Sequence, residues 1–238
     1  MSVVAIRFPP SLEEKARLLS KEFSVPLESE NPKAEVVVEV GEAKYSLMDA
    51  EGRRLDLDFE STNFYQRKGH KGKSELLVRA LGVKAQDSLI FDLSGGFLID
   101  SVFLAKLGFR VHTFERNPTV YMVMNAVLQS CEQKFAQNIR FDHLDALRAC
   151  EKFFAVEKPE ALYFDPMFPE KKKSLSKLPM QIFQSLVGGD EDSAEVILEV
   201  MKKYPCRTVI KRPLKAPELI KNPKHSFVGN TVRYDMYV

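Results

Sequence analysis

From residue 88 onwards the chain alternates short apolar runs with longer amphipathic segments, and this alternation restricts its fold more than any other feature. Short apolar runs are typical of buried strands, and the longer segments are typical of helices. Repeated strand–helix units predict a parallel sheet covered by helices on both faces. Two β-type runs at residues 225–228 and 231–238 flank Gly229-Asn230 and predict an antiparallel hairpin. We therefore predict a Rossmann-like α/β sheet that ends in this hairpin.

Residues 1–60 differ from the rest of the chain in both pattern and charge. They carry 8 basic and 13 acidic side chains, a balance of −5. The sequence Ser-Leu-Glu-Glu at Ser11 predicts a capped helix that ends near Phe23. Three β-type runs separated by turns follow, and they predict a β-meander. We therefore predict two domains, a small α+β unit at 1–60 and a larger α/β domain at 61–238.

An acidic residue follows each of the first four strands of the alternating part, namely Asp92, Glu115, Asp145 and Asp165. A parallel sheet brings the carboxyl ends of its strands to one edge, where such folds bind ligands. The turn at Gly95-Gly96 lets the backbone approach a ligand closely. Glu115 is spaced to bind two ribose hydroxyls, and Asp145 is placed to accept from an adenine amine. The loop lacks the GxGxxG that a pyrophosphate needs, so this set favours S-adenosylmethionine.

The last of these acids opens an unusual turn, Asp165-Pro166-Met167-Phe168-Pro169. Pro166 cannot donate to a sheet ladder, so the strand is expected to stop there. The two prolines hold the chain extended and fix the direction of Phe168. A flat ring beside an acid suits an unstacked base that carries an exocyclic amine. Asp-Pro alone is more typical of a surface turn, but together with the rest of the chain we predict Asp165 and Phe168 as catalytic residues.

Basic residues are concentrated in two segments of the alternating part. Residues 64–79 carry 5 basic and 1 acidic side chains, and residues 202–224 carry 8 and 1. Local basic surfaces of this kind attract polyanions, although a charge run can also be a solvated linker. Further lysines follow the aromatic turn. The predicted RNA contacts are Arg67, Lys68, Lys73, Lys171, Lys172, Lys211 and Arg212.

The three cysteines are widely spaced and form no CxxC pair, which argues against both a zinc site and a disulfide framework. No apolar run reaches the length that a membrane-spanning helix needs. The N-terminus lacks the basic-then-apolar pattern of a secretory signal. A cytoplasmic protein without a metal is therefore expected.

Five segments of the chain together resemble RsmJ-type rRNA methyltransferases. Two of them carry the family signature, Asp-Pro-Met-Phe-Pro-Glu-Lys-Lys-Lys-Ser at 165–174 and Ile-Phe-Gln-Ser-Leu-Val-Gly at 182–188. The others are Phe-Glu-Arg-Asn-Pro at 114–118, Val-Ile-Lys-Arg-Pro at 209–213 and the basic Gly-rich stretch at 67–75. The resemblance implies a class I SAM-dependent methyltransferase fold. It also implies methyl transfer from S-adenosylmethionine to a guanine N2 of small-subunit (16S) rRNA.

The resemblance also implies cofactor contacts in this sequence. Together with the turn and the first acid, the predicted cofactor-binding residues are Asp92, Gly95, Gly96, Ile99, Asp100, Glu115, Arg116, Asp145, Ala146 and Asp165. The loop from Asp92 to Asp100 departs from the family pattern, because Leu98 stands where glycine is usual and Ile99 where arginine is usual. A side chain at position 98 is expected to crowd the methionine end of the cofactor.

Two alternatives remain open at this stage. The altered loop is compatible with a non-catalytic RNA-binding protein that retains a methyltransferase fold. A gap over Gly95-Gly96 large enough for a pyrophosphate would instead favour an NAD-dependent oxidoreductase.

Overall fold

The computed structural model describes residues 4–31, 33–41, 44–59, 75–167, 178–187 and 191–238. The strands of the described residues are β1 Val4–Arg7, β2 Val36–Val40, β3 Tyr45–Asp49, β4 Arg54–Leu57, β5 Leu89–Asp92, β6 Arg110–Glu115, β7 Ile139–His143, β8 Ala161–Phe164, β9 Arg207–Pro213, β10 His225–Val228 and β11 Val232–Tyr237. Their helices are α1 Glu13–Phe23, α2 Leu76–Leu81, α3 Ile99–Lys106, α4 Pro118–Gln129, α5 Ala146–Glu157, α6 Leu178–Val187 and α7 Ser193–Lys203.

The chain folds into two compact units, and one of them contains β1 to β4 together with α1, α4 and α6. The strands β2, β3 and β4 pair antiparallel in sequence order, which confirms the predicted meander. The additional strand β1 pairs parallel to β2 and was not predicted. The predicted capping box at Ser11 is wrong, because a 3-10 turn at Pro10–Leu12 leads into α1 without a side-chain cap.

The other unit contains β5 to β11 with α2, α3, α5 and α7. Within the described residues its sheet has seven strands in the order β10-β11-β9-β8-β5-β6-β7. Pairing is parallel from β9 through β7, and β11 is antiparallel to both of its neighbours. This sheet confirms the predicted Rossmann-like α/β fold with an antiparallel hairpin at its end.

Buried side chains of the central strands explain why this sheet forms. All four residues of β5 and of β8 are buried, as expected for parallel strands with helices on both faces. Phe91, Phe114 and Phe153 pack together at this core, with ring centroids 5.3 Å apart for the first pair. Burial of these large apolar side chains fixes the register of the strands, and therefore the position of the residues at their carboxyl ends.

The predicted division of the chain at residue 60 stays a prediction. The unit with the N-terminal sheet also includes α4 and α6, which lie far along the chain. No helix of the described residues combines the length and the apolar character that crossing a membrane requires.

Candidate active site

The loop between β5 and α3 lies against the carboxyl ends of β6 and β8. Leu93 N donates to Tyr163 O at 2.9 Å, and Gly95 N donates to Phe114 O at 2.8 Å. A Cβ at Gly95 would lie 2.9 Å from Thr113 Cγ2 and 3.1 Å from Phe114 O, which is too close for any other residue. The close approach of this loop to the sheet therefore depends on glycine at position 95.

A hydrogen bond connects Gly96 to Glu115, which lies 19 residues further along the chain. Gly96 has a positive φ of 49°, and its N–H donates to Glu115 Oε2 at 2.8 Å. The carboxylate is buried at the end of β6. The sequence-predicted turn and the sequence-predicted ribose acceptor are thus brought together at one point of the sheet edge.

Leu98 adopts a left-handed backbone conformation, with φ 58° and ψ 21°, at the start of α3. Glycine favours this region, and a leucine is strained there. The Leu98 side chain is 0% exposed, so it packs within the protein. The loop therefore has, at this position, the backbone conformation that a glycine in the family pattern would adopt freely.

Asp92 is 2% exposed and accepts hydrogen bonds from two serines. Its Oδ2 accepts from Ser101 Oγ at 2.6 Å, and its Oδ1 accepts from Ser94 N at 3.1 Å. The pKa of Asp92 is raised from 3.8 to about 6, chiefly by burial and to a smaller extent by the negative charge of Asp165, while the hydrogen bonds from Ser101 and Ser94 oppose the rise. A buried acid of raised pKa at a sheet edge is a feature of functional sites.

A chain of polar side chains connects the first turn of α3 to the end of β8. Lys211 Nζ lies 2.9 Å from Asp100 Oδ2 and 2.7 Å from Asp165 Oδ2. Tyr163 donates its hydroxyl to the same Asp100 oxygen at 2.6 Å. Ser94 Oγ accepts from the backbone N–H of Asp165 at 2.7 Å, which ties the end of β8 to the loop after β5. Asp100 and Asp165 are therefore held side by side by one lysine.

The remaining predicted cofactor residues lie after β6 and β7. Asp145 is the N-cap of α5, where its Oδ1 accepts from Arg148 N at 2.9 Å, and Ala146 is the buried first residue of that helix. Arg116 pairs with Asp192 at 2.8 Å. Ile99 is the half-buried first residue of α3. The roles of these four predicted residues in binding a cofactor stay predictions.

Lys211 and Arg212 are not arranged as the predicted phosphate contacts require. Lys211 is paired with two carboxylates, and Arg212 is buried and donates to the carbonyl of Pro217 at 2.6 and 2.9 Å. Burial also lowers the pKa of Arg212. Its geometry favours a structural role, because it fixes the segment that follows β9. The other predicted RNA contacts and the predicted stacking residue lie outside the described residues: Arg67, Lys68, Lys73, Lys171, Lys172 and Phe168.

Sequence reasoning missed the polar residues that hold the acids in place, which are Ser94, Ser101, Thr113 and Tyr163. Ser101 lies 2.7 Å from Thr113 through their hydroxyls, and both are fully buried. One signal was present in the sequence. A tyrosine within a short buried strand needs a partner for its hydroxyl, and Tyr163 is such a residue.

No group of three or more His, Cys, Asp or Glu side chains that could hold a metal ion occurs in the part of the chain that the structure describes. Three of the described acids at the sheet edge, Asp92, Asp100 and Asp165, are linked to one another through the side chains of Ser94 and Lys211.

Comparisons with known proteins agree with this architecture. Residues 19–238 match the family model described as putative SAM-dependent methyltransferase. Ribosomal RNA small subunit methyltransferase J of Bdellovibrio bacteriovorus is 39% identical over 234 residues, which cover 96% of this chain and 92% of that protein. The protein of the same name from Thioalkalivibrio sulfidiphilus is 31% identical, over 99% of this chain and 97% of its own length.

A solved structure is similar over nearly the whole chain. The crystal structure of a SAM-dependent methyltransferase from Neisseria gonorrhoeae superposes with a TM-score of 0.74 at 25% identity. The superposition covers 99% of this chain and 95% of that one.

Proposed function

This chain belongs to the ribosomal RNA small subunit methyltransferase J family of SAM-dependent methyltransferases, and we propose that it methylates the exocyclic N2 amine of a guanine in 16S rRNA. The observation that carries the proposal is the position of Asp165. Its carboxylate stands at the end of β8 and is held by Lys211, while its backbone N–H donates to Ser94 Oγ in the loop after β5. An acceptor fixed at this point can orient an amine beside a cofactor on the neighbouring loop.

The charges at this edge fit S-adenosylmethionine, which carries a sulfonium, an ammonium and one carboxylate group and is therefore cationic overall. Four acids lie at this edge, namely Asp92, Asp100, Glu115 and Asp165, and Lys211 bridges two of them. Asp92 is linked to Asp165 through Ser94, and Glu115 accepts from the N–H of Gly96. A surplus of carboxylates favours a cationic ligand. When bound, the cofactor supplies an electrophilic methyl group.

The side chains act chiefly by positioning the target amine. Asp165 and the neighbouring carbonyls accept the hydrogens of the amine and direct its lone pair, and Phe168 stacks on the extruded base. A strong general base is unnecessary, because the methylated nitrogen is acidic enough to lose its proton to water. Holding the reacting groups in the correct geometry therefore provides most of the rate.

The basic residues of the Gly-rich stretch at 67–75 and of the segment after Phe168 are proposed to hold the RNA backbone. Arg67, Lys68 and Lys73 belong to the loop, and Lys171 and Lys172 follow the aromatic turn. Such contacts position a nucleic acid without reading its sequence. We further propose that the protein acts in the cytoplasm on rRNA or on a small-subunit particle.

The test is methylation in vitro of 16S rRNA and of 30S subunits taken from a bacterial strain that lacks this activity. The substrates are incubated with methyl-labelled S-adenosylmethionine, digested, and analysed by mass spectrometry. We expect label in N2-methylguanosine from at least one of the two substrates. The Asp165→Ala variant should be inactive, whereas Glu132→Ala, which removes an exposed acid, should be active. Label in any other nucleoside, or activity of Asp165→Ala, would contradict the proposal.

A further inference from the structure

We infer that Lys211 selects guanine over adenine, by donating a hydrogen bond to O6 of the base while Asp165 accepts from N1 and N2. The inference rests on the proposed function, because it assigns the base specificity of the same site. It replaces the sequence-based expectation that Lys211 contacts a phosphate.

The bonding of Lys211 leaves one donor for a ligand. An ammonium group has three N–H donors. Two of them are directed to Asp100 Oδ2 at 2.9 Å and Asp165 Oδ2 at 2.7 Å. No described residue accepts from the third. The Lys211 side chain is 22% exposed and that of Asp165 is 33% exposed, so a base can reach both.

Asp100 fixes the ammonium from the protein side. Its carboxylate is buried and also accepts from the hydroxyl of Tyr163 at 2.6 Å. The position of Lys211 Nζ is therefore set by groups that belong to the core. A donor fixed in this way can discriminate between ligands, because its side chain loses little conformational entropy when a ligand binds.

The Asp165–Lys211 pair matches the edge of guanine and not that of adenine. Guanine presents two donors, N2–H and N1–H, followed by the acceptor O6 along one edge. The two donors match the carboxylate oxygens of Asp165, and O6 matches the ammonium group of Lys211. Adenine presents an acceptor at N1 and an amine in place of O6, so both contacts would become unfavourable. Buried or partly buried polar groups that lose their partners in this way cause strong discrimination.

The same geometry argues against a phosphate at Lys211. A phosphate within hydrogen-bonding distance of Nζ would come close to the carboxylates of Asp100 and Asp165, which repel it. A neutral carbonyl oxygen such as O6 meets no such repulsion.

The experiment compares guanine with 2-aminopurine at the target position. The methylated guanine is first mapped on 16S rRNA with the wild-type protein, and an rRNA that carries 2-aminopurine at that position is then prepared by ligation. This base keeps the N2 amine but lacks both O6 and the N1–H, so it loses the contact with Lys211 and one of the two contacts with Asp165. The loss at Asp165 is common to all variants, so the comparison between variants reports on Lys211. Wild type, Lys211→Met and the control Lys215→Met, which removes an exposed lysine after β9, are assayed at saturating S-adenosylmethionine. If wild type methylates no guanine, the proposed function fails before the inference is tested.

The expected result is a change in selectivity. Lys211→Met should lower the rate on guanine by roughly 10- to 100-fold, the range for a lost bond to a charged group, and should lower the rate on 2-aminopurine far less. Lys215→Met should change both rates by the same factor. Equal losses on both bases for Lys211→Met would overturn the inference and leave Lys211 as a counter-ion of Asp100 and Asp165.

Two unpaired carboxylates could prevent Lys211→Met from folding, so its melting temperature is measured beside the rates. The double variant Asp100→Asn, Lys211→Met leaves only one of these carboxylates charged and keeps the comparison available. The selectivity of the double variant for guanine over 2-aminopurine should fall as in Lys211→Met. Wild-type selectivity in the double variant would overturn the inference.

Discussion

Asp92 provides a sharp test of the electrostatics at this site, because it is a carboxylate enclosed by protein. Its pKa is raised from 3.8 to about 6, chiefly by burial. A raised pKa means that the folded protein binds the proton more tightly than the unfolded chain does. The contribution of Asp92 to the free energy of unfolding is therefore greatest below pH 3.8 and is lost as the pH rises to about 6. Each pKa unit corresponds to about 1.4 kcal/mol, so the loss amounts to roughly 3 kcal/mol.

The Asp92→Asn variant removes this titration and can retain hydrogen bonds with Ser101 and Ser94. We expect the free energy of unfolding of the variant, minus that of wild type, to increase by about 2 kcal/mol between pH 4 and pH 7, since part of the change already occurs below pH 4. The measurement is urea unfolding of both proteins across this range. The difference in free energy of unfolding between the two proteins removes the pH dependence that comes from the ionisable groups they share.

Asp49→Asn is a control variant, because its effect on stability should change with pH in the opposite direction. Asp49 is also buried, but its pKa is lowered, because hydrogen bonds from Arg53 outweigh the effect of burial. Its contribution to stability is present above pH 3.8 and is lost as the pH falls through the lowered pKa. Asp49→Asn should therefore be most destabilising near neutral pH and less so in acid. A pH-independent difference for Asp92→Asn, beside the expected trend for Asp49→Asn, would refute the reasoning about burial.

Three further predictions test the cofactor site, the RNA contacts and the stacking residue. Glu115→Ala should weaken S-adenosylmethionine binding by about 1.5–3 kcal/mol without unfolding the protein, and unchanged affinity in calorimetry would remove this acid from the site. Replacing Arg67, Lys68 and Lys73 together by Ala should flatten the salt dependence of RNA affinity by about one unit per lost phosphate contact, with unchanged cofactor affinity. Phe168→Ala should lose the stacking contribution of roughly 1–3 kcal/mol, and Phe168→Tyr should recover activity that Phe168→Leu does not. Wild-type methylation by Phe168→Leu would show that the ring does not stack.

The sheet and the acids at its edge could be predicted because they depend on local patterns. The apolar run of β8 and the prolines after it locate Asp165 without knowledge of any distant residue. Glu115 and Gly96 were likewise predicted from spacing, and the hydrogen bond between them confirms that they meet. Each of these residues follows a strand whose burial fixes its position.

The pairing of Lys211 with Asp100 and Asp165 could not be predicted, because it joins residues that are 111 and 46 positions apart. A lysine at a strand end has the same sequence signature whether it contacts a phosphate or a carboxylate. Only the strand order, which brings β9 beside β8, separates the two possibilities. Arg212 illustrates the same limit, since its burial depends on the segment that packs over it after β9.

Leu98 shows how a departure from a family pattern can be accommodated. The sequence predicts crowding, because a side chain replaces the hydrogen of a glycine. In the structure the backbone of Leu98 adopts a left-handed conformation, and its side chain is fully buried. The conformation costs about 1–2 kcal/mol in a residue with a Cβ, and burying a leucine contributes about 1.5–3 kcal/mol, so the two effects nearly cancel. The loop therefore accommodates a leucine at position 98 at little net cost in free energy. The altered residue no longer favours a non-catalytic protein, since its side chain is directed into the protein.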